Sequence, residues 1–146
     1  MNPAADMRGP GGAHEKQIEI RWRDLDAAGH VNNAVYLNYI EEVRDEWLEL
    51  TLRDKGSSWD FVVVRVAIDF RRELVQDDDW VLVSCRLQRV GRSSVHTREE
   101  VRTLDGELAA EAESVLVARD RGASRSRPLS AGEVAAFDAA LSASGR

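Results

Sequence analysis

Apolar and polar residues alternate from Gln17 to Trp22: Ile18, Ile20 and Trp22 fall on one side, Gln17, Glu19 and Arg21 on the other. A period of two belongs to a half-buried strand. The Asp- and Gly-containing segment 24–30 interrupts it. From Asn33 the period lengthens. Tyr36, Ile40, Val43, Trp47 and Leu50 recur at steps of four and three, which places them on one face of an α-helix. Asn32 or Asn33 is a natural N-cap, and the helix is expected to end near Lys55-Gly56 with the glycine as a left-handed cap.

Beyond Gly56 the period returns to two. Val62, Val64, Val66, Ile68 and Phe70 form one apolar face, with Arg65, Asp69 and Arg71 among the opposite residues. Asp77-Asp78-Asp79 reads as a turn. Trp80 to Arg89 is a strand with Val81, Val83, Cys85 and Leu87 on one face. Val90-Gly91-Arg92 and Leu104-Asp105-Gly106 are hairpin signals that separate two further strands, Ser93 to Thr103 and Glu107 to Val117. Arg119 to Arg127 is charged and loop-like. A short helix follows from Ser130 to Leu141, opened by Ser130 and Glu133 in a capping-box spacing.

The order is strand, long helix, four strands. Consecutive strands joined by tight turns are antiparallel. One sheet with one long helix predicts an α+β layer in which the sheet wraps the helix. The expected divisions are a disordered tail over 1–15, a folded domain over 16–119, and a loop with a short helix over 120–146.

Composition narrows the function. A length of 146 residues suits one domain, and 43% hydrophobic with 32% charged residues suits a globular core. The formal net charge of −6 argues against a nucleic-acid partner, which would call for a basic face. Cys85 is the single cysteine, so neither an internal disulfide nor a Cys-rich zinc site is available. His14, His30 and His96 are not spaced as a metal pair. No metal or cofactor is expected. Residues 1–16 lack an apolar run, so no signal peptide or membrane anchor is expected, and a cytoplasmic location is the default.

The candidate chemistry lies where the first strand gives way to the helix. A helix N-terminus presents unpaired N–H groups and a partial positive charge, which stabilise an oxyanion during acyl transfer. A carboxylate on the preceding loop faces the same point. Gly29 permits close backbone approach to a ligand. Carboxylate plus helix start suits hydrolysis of an activated ester, without metal or cysteine. Taken singly, an aspartate here is more often a turn residue; its ten-residue setting reverses that balance.

That setting is specific. Arg23-Asp24-Leu25-Asp26-Ala27-Ala28-Gly29-His30-Val31-Asn32-Asn33-Ala34-Val35-Tyr36-Leu37-Asn38-Tyr39-Ile40-Glu41 resembles the signature of the 4-hydroxybenzoyl-CoA thioesterase family of hotdog proteins. The element order of residues 17–118 is similar too; the N-terminal tail and C-terminal helix lie outside the strong match. The resemblance implies a hotdog fold and hydrolysis of an acyl-CoA thioester. It implies Asp26 as nucleophile or general base, with the N–H of Asn33 polarising the carbonyl. It implies two sheets joined edge to edge in a homodimer with sites at the interface, the dimers often pairing into a homotetramer. Plant acyl-ACP thioesterases are similar in spacing but carry Asn where this chain has Ala28. Hotdog hydratases depart at the same position, which favours hydrolysis over hydration.

His30 is a candidate for orienting water or the thioester. Asn32 caps the helix and, with Gly29 and Tyr36, is a candidate substrate contact, Tyr36 being core first. Arg89, Arg92 and Ser93 flank the hairpin glycine, a region that contacts coenzyme A phosphates in the family. Asp24 is expected to support the loop. Hydration of an enoyl thioester and non-catalytic acyl-thioester binding remain the alternatives.

Overall fold

The computed structural model describes residues 12–144. Its elements are β1 (His14–Glu19), α1 (Asn33–Leu52), β2 (Phe61–Phe70), β3 (Trp80–Val90), β4 (Ser94–Thr103), β5 (Leu108–Asp120), β6 (Arg125–Ser126) and α2 (Ala131–Ser144). The strands form one antiparallel sheet in the order β1-β3-β4-β5-β2, with β6 paired to the end of β5. The sheet curls around α1, an α+β hotdog arrangement as the element order predicts.

The period-two reading of β3 holds residue by residue: Val81, Val83, Cys85 and Leu87 are all buried. They meet Tyr36, Tyr39, Ile40, Val43, Trp47 and Leu48 from α1 in a single core. Most of the expected tail, residues 1–11, lies outside the described residues; His14 and Glu15 already belong to β1. Trp22 departs from the expected face with Ile18 and Ile20. The strand has ended by then, and a 3-10 turn over Trp22–Asp24 leaves Trp22 83% exposed.

Two other boundaries differ from the pattern. α1 stops at Leu52, and a 3-10 turn over Arg53–Lys55 follows. Arg53, at φ 52°, takes the positive dihedral expected of Gly56, whose own φ of 178° is extended backbone. Along β2, a bulge between Val63 and Arg65 breaks the alternation and leaves Val64 exposed; Phe70, at the strand's end, is exposed as well. β2 is an edge strand, where the face rule is weakest.

α2 belongs to the core. Phe137 is fully buried, stacked on Trp47 at 6.2 Å and edge-on to Phe61 at 5.8 Å. Its N-terminus is the predicted capping box: the Ser130 N–H donates to Glu133 Oε1 at 2.8 Å, and the Glu133 N–H to Ser130 Oγ at 3.1 Å. Arg127 adds two bonds to the same carboxylate, at 2.8 and 3.0 Å.

A charged pair lies inside this core. Glu99 is 0% exposed and Arg44 4%. Arg44 Nη1 reaches Glu99 Oε1 at 3.4 Å and donates to Ser114 Oγ at 3.2 Å, while Thr97 Oγ1 donates to Glu99 Oε1 at 2.9 Å. Arg44 Nε and Glu99 Oε2 are buried without a hydrogen-bond partner. Burial raises the Glu99 carboxyl above its ordinary value, against the opposing pull of Arg44 and the two hydroxyls. Nearby, burial pushes the Cys85 thiol well up, which keeps it protonated and unreactive.

Candidate active site

The loop from Asp24 to Asn32 is a closed turn. The Asp26 N–H donates to the His30 carbonyl at 2.7 Å, and the Gly29 N–H to the Asp26 carbonyl at 3.1 Å. Inside the turn, Asp26 Oδ1 accepts from the N–H groups of Ala28, at 2.9 Å, and His30, at 3.2 Å. This fixes the carboxylate's orientation and leaves Oδ2 without a hydrogen-bond partner among the described residues. Gly29 adopts φ +84°, and a Cβ there would have nothing within 4 Å. The glycine therefore serves the turn's dihedral, not a steric limit set by this chain.

The turn hands directly to α1. Asn32 is the N-cap: its Oδ1 accepts from the Ala34 N–H at 2.9 Å and its carbonyl from the Val35 N–H at 2.8 Å. Asn33 opens the helix, and its N–H has no acceptor among the described residues. A free carboxylate oxygen and a free helix-start donor thus stand on either side of one short turn, both on exposed residues.

A second segment braces this turn. The Val31 N–H donates to the Leu74 carbonyl at 2.8 Å, and His30 pairs with Val75 as an isolated bridge. The His30 imidazole Nε2 lies 3.1 Å from Glu73 Oε2, so its position is tied to a carboxylate 43 positions along the chain. The brace is itself clamped. Arg72 forks onto Asp78 at 2.9 and 3.1 Å and reaches Glu107 at 3.0 Å, while the Val75 N–H donates to Asp78 at 2.9 Å. Burial acts to raise the Asp78 carboxyl, but the Arg72 fork and the Val75 N–H outweigh it and hold it below its ordinary value. Glu73, Arg72 and Asp78 escaped the sequence reading, because no spacing rule links them to the Asp26 turn.

Tyr36 lies behind the helix start and is 2% exposed. Its hydroxyl donates to the Arg72 carbonyl at 3.1 Å, and its ring meets Phe70 edge-on at 5.1 Å. It is a core residue that anchors the brace. Arg89, Arg92 and Ser93 are not beside Asp26 within one chain. They sit at or just beyond the Val90 end of β3, opposite the Trp80 end, which pairs with Glu19. Arg89 Nη2 lies 3.1 and 3.3 Å from the His96 ring nitrogens. Burial, then the guanidiniums of Arg89 and Arg65, lower the His96 pKa. Among the described residues no group of three or more His, Cys, Asp or Glu could hold a metal ion, and no helix is long and apolar enough to cross a membrane.

A family model described as the thioesterase-like superfamily matches residues 20–143. The chain belongs to this superfamily of hotdog-fold thioesterases. The match includes α2, which the signature alone had left outside. Among curated relatives, the chain is 33% identical to the long-chain acyl-CoA thioesterase FadM of Escherichia coli, over 67% of this chain and 76% of that one. It is 46% identical over 41 residues to the chloroplastic acyl-acyl carrier protein thioesterase ATL2 of Arabidopsis thaliana, a stretch covering 28% of this chain and 22% of that one. A Thermus thermophilus thioesterase, solved in complex with coenzyme A and zinc, superposes with a TM-score of 0.78 at 33% identity, over 90% of this chain and 94% of that one. As a member of this family the protein is an acyl-thioester hydrolase.

Proposed function

We propose that the protein hydrolyses an acyl-CoA to a free acid and coenzyme A, with Asp26 as the reacting carboxylate. The observation that carries this is the Asp26 turn. Oδ1 is held by two backbone N–H groups, Oδ2 is free, and the turn ends at the unpaired N–H of Asn33. Oδ2 attacks the thioester carbonyl and expels coenzyme A as its thiolate, leaving an acyl-aspartyl anhydride that water cleaves to the free acid, or it takes a proton from a water that attacks the carbonyl directly. The Asn33 N–H, with the helix start behind it, donates to the oxyanion that develops on attack, before its collapse breaks the C–S bond. His30, held by Glu73, borders the same turn and orients water or the thioester. Coenzyme A is part of the substrate, and no cofactor is required. The coenzyme A complex of the Thermus relative supports the choice of carrier.

The site is completed by a second copy. β2 is a free sheet edge with exposed Val63, Val64 and Phe70. Antiparallel pairing of two β2 edges sets the Phe61 end of one beside the Phe70 end of the other. Phe61 lies at the hairpin end of the sheet and Phe70 against Tyr36 near the Asp26 turn. The partner's Arg89, Arg92 and Ser93 hairpin then approaches this chain's Asp26, where its guanidiniums meet the coenzyme A phosphates. Gly29 and Asn32 border the same cleft. A dimer, or a tetramer of two such dimers, acting in the cytoplasm completes the proposal.

Thiol release across a panel of acyl-CoA and acyl-ACP substrates tests it. The wild type releases thiol from acyl-CoA, and Asp26→Asn, folded by circular dichroism, loses about 100-fold or more in kcat. An Asp26→Asn variant at the wild-type rate overturns the assignment. Loss of crotonyl-CoA absorbance without thiol release turns the reading to a hydratase. Tight binding without turnover over the whole panel turns it to a binding protein.

A further inference from the structure

We infer that Asp24 and Tyr39 are positioning residues, a buried tether that sets the distance between Asp26 and the Asn33 N–H. The inference rests on the hydrolytic reading of that turn. Asp24 is 4% exposed and Tyr39 2%. The Tyr39 hydroxyl donates to Asp24 Oδ2 at 2.7 Å, and the Arg21 N–H donates to the same oxygen at 3.0 Å. The Asp24 carbonyl accepts from the Asn32 N–H at 2.9 Å. One residue thus touches the loop's entry, the helix cap and the second turn of α1. Among the described residues, the Tyr39–Asp24 bond is the side-chain hydrogen bond that joins residues 21–26 to the helix.

The arrangement is a costly way to gain stability. A buried carboxylate normally takes a guanidinium at bonding distance, yet the nearest one, Arg21 Nη2, stands 3.8 Å from Asp24 Oδ1. A neutral phenol and one amide carry the contact instead. Burial, then Asp24 itself, raises the Tyr39 pKa far beyond its ordinary value, so the hydroxyl stays a donor at every working pH. What the pair provides is geometry. Asp26 lies two residues after Asp24, and Asn33 lies six before Tyr39, so this bond adds a side-chain brace, beside the backbone bonds of the turn, between the carboxylate and the donor of the helix. Small misplacements of reacting groups cost rate much more than they cost binding.

Tyr39→Phe and Asp24→Ala are each expected to lower kcat about tenfold with KM within about twofold, measured on full-length protein well below its melting transition. Amide hydrogen exchange at Asn32 accelerates about tenfold in both, while the amides of Val83 and Val101 in the sheet keep their protection. Asp24→Asn retains an oxygen acceptor for both donors and recovers most of the rate. Wild-type kcat in folded Tyr39→Phe and Asp24→Ala overturns the inference. So does an Asp24→Asn loss equal to that of Asp24→Ala, which would make charge rather than the tether decisive. So does a uniform rise in exchange across the sheet. Should the wild type release no thiol from any substrate, the hydrolytic reading fails, and the Asn32 exchange still decides the tether.

Discussion

Replacing Arg44 by Met separates the buried ion pair while leaving Glu99 in place. The variant removes the 3.4 Å contact to Glu99 and the 3.2 Å bond to Ser114, and it strands a fully buried carboxyl with only the Thr97 and Ser114 hydroxyls beside it among the described residues. Breaking such a pair costs about 3–5 kcal/mol. With a urea slope of about 2 kcal/mol per molar, the unfolding midpoint falls by roughly 2 M. The pH dependence has a definite sign. The folded Glu99 pKa is already raised by burial, and losing Arg44 raises it further. Above the unfolded glutamate value of about 4.3, the folded state holds a proton that the unfolded chain has released, so stability falls as pH rises towards the folded value. Arg44→Met is therefore more stable at pH 5 than at pH 8. Arg44→Met with Glu99→Leu together is expected to match or exceed wild type, because both charges leave the core. Urea titrations of the three variants at two pH values decide the matter. An Arg44→Met deficit below about 1 kcal/mol at pH 8, or one that grows on acidification, would refute the reasoning.

Gly29→Ala is expected to cost about 1–2 kcal/mol in urea titration, from the positive φ alone, since a Cβ there meets open space. Gly29→Asn recovers part of that loss, because asparagine visits the left-handed region more readily. Glu133→Gln is expected to cost about 1–2 kcal/mol at pH 7, through the Arg127 fork and the Ser130 cap. Burial works to raise the Glu133 carboxyl, but Arg127 and the Ser130 N–H prevail and hold it below the ordinary range. Its contribution is thus present above the unfolded value of about 4.3 and is lost as pH falls through the folded one. Thermal melts of wild type and Glu133→Gln should converge in acid.

Strong periodicity carried most of the fold. β3, α1 and the α2 cap were legible because burial of one face imposes period two or 3.6 on the chain itself. Edges were less so. β2 packs on one neighbour and carries a bulge, so its apolar residues do not keep to one face. The Asp26 turn and the Asn32 cap were readable because their partners lie within a few residues. The Arg72–Asp78 clamp, the Glu73 contact and the Arg44–Glu99 pair were not. The clamp is local but lies in an irregular connection with no periodic signal, and the other two join positions that only the tertiary fold brings together. Arg89 and Arg92 rest on the resemblance alone; they lie at the hairpin end of β3, opposite the Trp80 end that pairs with β1.

Arg53 ends α1 with a dihedral that glycine holds without strain, and Asp79 and Ser124 do the same at two other turns. Each carries a steric penalty on the order of 1 kcal/mol that glycine would relieve, less the entropy glycine adds to the unfolded chain. All three positions lie outside the Asp24 to Asn33 loop. The scaffold therefore holds a margin for thermal hardening that leaves the reacting turn as it is, and a version made robust in this way would tolerate deeper changes around Asp26.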